Sequence, residues 1–255
     1  MSRIQKLFSD KEKDILNVYC TAGFPHLNDT LEVLSSLQKY GADMAEIGMP
    51  YSDPLADGPV IQQSSTIALQ NGMTIQKLFD QLKEMRKDVT IPVLLMGYMN
   101  PLLQYGFERF CERTAAVGVD GLILPDLPMY EFETEYGPVI KKYGLDFIFL
   151  ITPETSEERI RKIDALTTGF IYAVSSSSTT GNDKTIDTEN YLLRLQNMHL
   201  KNPVLVGFGI KDKDTFTAAA KYTNGAIIGT AYIKALHNAV DIDTATKQFL
   251  QGILR

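Results

Sequence analysis

The sequence predicts an α/β protein built as a (β/α)8 TIM barrel. Three observations carry that reading. Eight short apolar runs alternate with amphipathic segments along the chain. The runs are apolar nearly throughout rather than at every second residue, which is the mark of parallel strands covered on both faces. The units follow one another with no linker and no break in composition, so residues 1–255 are expected to form a single domain; eight βα units in about 250 residues is the usual size of such a barrel. A doubly wound open sheet is the alternative, but it would leave edge strands less apolar than these.

The strand candidates, in order, are ILNVYCTA (15–22), MAEIG (44–48), IPVLLMGY (91–98), GLILP (121–125), DFIFLIT (146–152), GFIYAVS (169–175), NPVLVGF (202–208) and GAIIG (225–229). Between them lie helical patterns. The segment 29–41 starts at an Asn28/Asp29 cap and stops at Gly41. Residues 60–72 read as the helix after the second strand. Residues 74–88 place Ile75, Leu78, Phe79, Leu82 and Met85 on one helical face. Residues 107–118 end on a glycine, and 155–166 open with a capping box of Thr155 and Glu158. Segments 213–225 and 244–255 complete the set.

Composition excludes several classes of function. The chain has 255 residues, 44% apolar and 22% charged, enough to bury a sizeable core. No apolar run approaches the roughly 18 residues of a membrane span. The first residues, MSRIQKLFSDKEKD, lack the apolar core of a secretory signal. Cys20 and Cys111 show no motif spacing and are expected to be free, buried thiols of a cytoplasmic protein. A net charge of −6, with no clustered Lys/Arg face and no Trp, argues against nucleic-acid binding. His26, His199 and His237 lie far apart, and no Cys/His/carboxylate group has metal spacing, so no metal is expected.

Barrel chemistry sits at the C-terminal ends of the strands. There the second strand carries Glu46 and runs into MPYSDPLADGPV (49–60). Three prolines in this loop fix φ at three places and remove three donors, so Asp53 and Asp57 arrive on a stiff segment. Glu46, inside an apolar run, is a candidate acid/base whose pKa burial would raise. The plainer alternative is a salt-bridged or hydrated strand-end glutamate; for the aspartates it is an Asx-turn or a helix cap. After the seventh strand comes GFGIKDKD (207–214), and after the eighth GTAYIK (229–234). Glycines before helix starts at these two strand ends suit a phosphate held by backbone amides; two tight turns would read the same way. The polar loop 174–190, VSSSSTTGNDKTIDTEN, reads as a lid or a surface loop, and its Gly181 could join the phosphate site. No strand candidate holds a lysine for Schiff-base chemistry, and no GxSxG is present. What remains is carboxylate acid/base chemistry on a small phosphorylated molecule.

PYSDPLADGPVIQ with Glu46 ahead of it, LPDLP (124–128), GFGI and GAIIGTAYIK together resemble the tryptophan synthase alpha chain family, over essentially the whole chain. The resemblance implies a TIM barrel with an extra N-terminal helix, here about 2–9. It implies a lyase that cleaves indole-3-glycerol phosphate to indole and glyceraldehyde 3-phosphate. It also implies an αββα complex with a beta chain that holds pyridoxal phosphate, and no cofactor in this chain. By matching motif, Glu46 would be the general acid/base and Asp57 would face the indole N–H. Tyr172 would contact the glycerol part or Glu46, and Tyr19, Met96, Leu124 and Ile227 would line the indole pocket. Gly181, Gly209, Gly229 and Thr230 would hold the phosphate, Thr180 would close against Asp57, and Asp53 and Asn100–Pro101 would face the beta chain. The sixth loop departs from the family's common SRxGVTG: Ser176 stands at the arginine and Ser178 at a glycine, while Thr230 keeps the hydroxyl of the common serine. A phosphosugar isomerase, a non-catalytic binding subunit and a stand-alone indole-releasing lyase are the competing readings.

Overall fold

The computed structural model describes residues 1–174, 188–207, 209–237 and 239–254. Thr180, Gly181, Ser176 and Ser178 lie outside the described residues.

The strands are β1 (Ile15–Thr21), β2 (Met44–Gly48), β3 (Val93–Met96), β4 (Gly121–Ile123), β5 (Asp146–Ile148), β6 (Leu150–Ile151), β7 (Ile171–Val174), β8 (Val204–Gly207) and β9 (Gly225–Ile228). They form one parallel sheet in the order β5-β4-β3-β2-β1-β9-β8-β7-β6. The two ends of that order are halves of one chain run, interrupted only at Phe149. β5 pairs with β4 and β6 pairs with β7, so the fifth run closes the ring between its two neighbours. The period-2 alternation continues through the interruption. Ile148 and Leu150 join the inner cluster, whereas Phe147, Phe149 and Ile151 join the outer one. Phe132 packs on both outward phenylalanines, 4.5 Å from Phe147 and 4.8 Å from Phe149. All eight strand candidates are present, in a barrel closed by the run that looked most ordinary in the sequence.

The floor of the barrel is plugged by helix Arg3–Asp10, the extra N-terminal helix that the resemblance implies. Ser2 and Gln5 make its capping box. Ile4 is fully buried in the inner cluster with Ile15, Met44 and Phe170. Beside it, Asp120 accepts from Arg3 Nη1 at 2.9 Å, from Arg86 Nη2 at 2.6 Å and from the Val93 amide at 2.8 Å. This ties the N-terminal helix, the turn before β3 and the start of β4 to one carboxylate.

Some helix ends differ from expectation. The cap of helix Glu157–Leu166 is Ser156, which accepts from the Arg159 amide, and not Thr155. Thr155 instead accepts from the Thr152 amide at 2.9 Å, closing the turn after the barrel's fifth run. Asp29 sits at the start of helix Thr30–Tyr40 without capping it, because its carboxylate is taken by His26. Helix Ile75–Leu82 stops short of residue 88, with a single 3-10 turn, Met85–Lys87, beyond it. Helices Met99–Tyr105 and Gly137–Lys142 were masked in the sequence by Pro101 and Pro138, which stand in first turns, where a missing N–H costs nothing.

Asp120 is 4% exposed at its side chain, so its removal leaves two guanidinium groups and an amide short of an acceptor. Asp120→Ala is expected to lose about 3 kcal/mol in urea unfolding. Any activity at the far, C-terminal face should survive below the new melting point; a change under about 0.5 kcal/mol would remove Asp120 as the anchor of the floor.

Candidate active site

The C-terminal ends of the strands surround a cavity of about 520 Å³. Its wall includes Tyr19 from β1, Met96 from β3, Tyr172 and Val174 from β7, and Ile227 from β9. Gly209, Gly229 and Thr230 line the same cavity, as does Asp57 from the proline loop. Leu124 is buried but is not on the wall, where its neighbour Pro125 stands. Two glycines give the tyrosines room. A Cβ on Gly48 would fall on the Tyr19 hydroxyl, and one on Gly207 would fall on the Tyr172 hydroxyl. Gly209 turns with φ of +77°, which a side chain would resist.

Glu46 faces the barrel interior because β2 alternates Met44 in, Ala45 out, Glu46 in. It is 0% exposed. Its Oε1 accepts from Asn17 Nδ2 at 2.5 Å, and Oε2 has no hydrogen-bond partner among the described residues. Burial in an apolar barrel disfavours the ion and pushes the Glu46 carboxyl up to about 8, while the Asn17 amide pulls the other way. Among the described residues no cation pairs with it and it is 0% exposed, so the plainer reading of a salt-bridged or water-exposed glutamate does not fit.

Asp57 is partly buried at the cavity wall. Burial raises its carboxyl to about 6, against the hydrogen bond that Tyr98 donates to Oδ2 at 3.0 Å. The Tyr98 hydroxyl also accepts from the Ala56 amide, and the Asp57 amide donates to the Pro54 carbonyl at 3.1 Å. The following helix, Pro59–Gln70, starts from Gly58 with Pro59 in its first turn and no side-chain cap. Asp57 is therefore not a helix cap, and its carboxylate is left for the cavity. Asp53 is exposed, accepts from the Ser52 hydroxyl at 2.5 Å and stands off the cavity wall.

Three residues of this site were not singled out in the sequence. Asn17 was visible as the one amide in the run ILNVYCTA. Tyr98 could not be read from its place at a strand end, since its partner lies 41 residues away. Arg159 lines the cavity as the only cation among the described residues that do so, brought there by the Thr152–Thr155 turn. His, Cys, Asp and Glu side chains form no group of three or more placed to hold a metal ion among the described residues.

The burial of Glu46 has a consequence for stability. In the unfolded chain the carboxyl ionises near 4.5, and in the folded chain near 8. The folded state holds the proton more tightly, so the fold loses stability as pH rises through that window, at up to about 1.4 kcal/mol per unit. Glu46→Gln removes this loss. Its melting temperature is expected to gain steadily on the parent between about pH 5 and pH 8 and to level off above that; a constant gap would show that Glu46 is not buried as the neutral acid.

The tryptophan synthase alpha chain family model matches residues 5–252. The tryptophan synthase alpha chain of Flavobacterium johnsoniae is 56% identical over 239 residues, covering 92% of this chain and 94% of its own. That of Parabacteroides distasonis is 49% identical, with 99% of each chain covered. Among solved structures, tryptophan synthase subunit alpha from Legionella pneumophila is 34% identical with a TM-score of 0.89, covering 99% of this chain and 97% of that one. A tryptophan synthase complex from Pyrococcus furiosus has a chain 33% identical with a TM-score of 0.84, covering 95% and 98%. With this barrel, this cavity and this likeness over its whole length, the chain belongs to the tryptophan synthase alpha chain family.

Proposed function

We propose that this chain is the alpha subunit of a tryptophan synthase, a lyase that cleaves indole-3-glycerol phosphate to indole and glyceraldehyde 3-phosphate in tryptophan biosynthesis, with Glu46 as its general acid/base and Asp57 as the carboxylate that stabilises charge on the ring. The observation that carries the assignment of residues is the contrast between two carboxyls, Asp57 on the cavity wall and Glu46 buried behind that wall, near the lining residues Tyr19 and Tyr172. Glu46 is dry and holds its proton to about 8, whereas Asp57 meets the cavity wall and ionises near 6. Between those values one is an acid and the other an anion, which is the division of labour this cleavage needs.

The reaction then runs as a retro-aldol. Glu46 gives its proton to C3 of the indole ring, and the ring nitrogen becomes electron-poor. The Asp57 carboxylate accepts a hydrogen bond from that N–H and stabilises the charge. Loss of the glycerol hydroxyl proton to the Glu46 carboxylate lets the C–C bond break. Its electron pair returns to the ring, releasing indole and leaving an aldehyde. Tyr172 would contact the glycerol part, and Tyr19, Met96 and Ile227 would enclose the flat ring. Gly209, Gly229 and Thr230 would hold the phosphate, with helix Thr230–His237 starting at that point. Gly181 and Thr180, outside the described residues, and Leu124, behind the wall, keep the same roles as proposals. The route uses proton transfer alone and asks for no cofactor in this chain.

The partner in this reading is a beta chain, in an αββα assembly, which carries pyridoxal phosphate. The Pyrococcus furiosus relative is described as a complex. In this chain, Leu55 is 84% exposed on the proline loop, with Leu103 at 48% after β3 and Tyr130 at 72% after β4. Three large apolar side chains on the segments that follow β2, β3 and β4 suit a covered surface, next to Asp53 and Asn100–Pro101. A cytoplasmic place of action belongs to the same proposal, supported by the free, buried thiols of Cys20 and Cys111. Among the described residues no helix is long and apolar enough to cross a membrane.

The purified chain, given indole-3-glycerol phosphate, is expected to release indole slowly alone and much faster with a beta chain. Glu46→Gln should lower that rate by roughly 10²–10⁴-fold and Asp57→Asn by about 10²-fold. Fast release without a partner would make it a stand-alone lyase, and no release under either condition would sink the assignment. The pH profile of the parent should be bell-shaped. Below about 6 Asp57 takes up a proton and loses its charge, and above about 8 Glu46 loses the proton it must give. A profile flat from about pH 5 to pH 9 would take these two groups out of the rate-determining chemistry.

A further inference from the structure

Asn17 is out of place in the barrel interior. It is 0% exposed and stands level with Met44 on β2 and Ile227 on β9, both members of the inner apolar cluster. A primary amide buried there costs free energy unless it is hydrogen-bonded. Its Nδ2 makes one bond, to Glu46 Oε1 at 2.5 Å, and its Oδ1 has no partner. The fold gains little from such a residue, since an apolar side chain of the same size would pack with no orphaned oxygen. The amide is therefore explained by the carboxyl it touches.

The geometry distinguishes the two oxygens of Glu46. Oε1 accepts from an N–H, so in the neutral acid the proton belongs on Oε2, which has no protein partner. We propose that Asn17 is the positioning residue of Glu46: its amide fixes Oε1 as an acceptor and leaves the transferable proton on Oε2, free for the substrate. This rests on Glu46 being the acid of the proposed reaction. The same bond favours the ionised form and offsets part of the effect of burial. The other titratable groups that feel the charge of Glu46 are Tyr19 and Cys20 on β1 and Tyr172 on β7; Asp57 from the proline loop acts on the same two tyrosines. Burial pushes the Cys20 thiol to about 12 and both phenols well above their ordinary range. Of these groups, only Glu46 and Asp57 ionise between about 5 and 9.

The test is Asn17→Leu in the full chain, assayed with the beta chain for kcat and KM across pH. A parallel infrared titration follows the protonated carboxyl band that disappears in Glu46→Gln. The variant is expected to lose about tenfold or more in kcat with KM within about twofold, because an acid out of register loses proton transfer rather than binding. The alkaline limb and the infrared midpoint should both move up by about one pH unit, while the Asp57 limb stays. A folded variant with an unmoved midpoint and unchanged kcat, or one changed only in KM, overturns the proposal. Should Asn17→Leu fail to fold, Asn17→Ser, which is shorter than the reach to Oε1, is read in the same way. If the parent itself releases no indole, the reading of function fails, and the infrared titration alone decides the role of Asn17.

Discussion

An ionised carboxylate sealed in an apolar barrel is destabilised by several kcal/mol, and a neutral carboxyl by far less. Glu46 sits under that constraint, and much of the rest of the molecule answers to it. The inward alternation of β2 puts the side chain inside. The helix Arg3–Asp10 closes the floor beneath it, with Ile4 in the same inner cluster as Met44. The tyrosines of β1 and β7 complete its surroundings, and both need a glycine on the adjacent strand to be admitted. Barrel closure through the split fifth run keeps this interior sealed. A gap there would let water in, return Glu46 to its ordinary range and cost the acid its proton near neutrality.

Asp57 solves the opposite problem. In the proposed reaction it has to be charged next to an apolar cavity, and it stands at the wall rather than within, with a donor behind it. Tyr98 supplies that donor and also takes the Ala56 amide, so one hydroxyl fixes both the loop and its carboxylate. The three prolines limit the alternatives open to the loop, and the turn from Pro54 to Asp57 completes it. The two carboxyls therefore differ by about two pH units through burial, with no metal or cation invoked in the chain.

The fold was legible in the sequence because parallel strands covered on both faces leave uninterrupted apolar runs, and all eight were found where they were read. What escaped was set by partners distant in sequence or by local chemistry of equal plausibility. Pro101 and Pro138 look like helix breakers until their place in a first turn is known. Thr155 and Ser156 are equally good caps on paper; Thr152 decides between them by claiming Thr155. Glu46 and Asp57 could be named as candidates from a strand end and a stiff loop. Their separate environments could not, because Asn17 is 29 residues from Glu46 and Tyr98 is 41 from Asp57.

The division between the two faces of the barrel follows from the same chemistry. At the floor, Asp120 has three donors and packs as a saturated ionic anchor. In the barrel interior behind the cavity wall, Glu46 has one donor and an oxygen without a partner among the described residues, and Asn17 has an oxygen left over as well. Unsatisfied buried acceptors are a cost that a fold selected for stability alone would remove with apolar side chains. Asp146 Oδ2 and Glu131 Oε2 are unpartnered too, but Glu46 and Asn17 are the pair that share one hydrogen bond on neighbouring strands inside the barrel, and that pairing supports the proposal that the place is kept for a substrate's atoms.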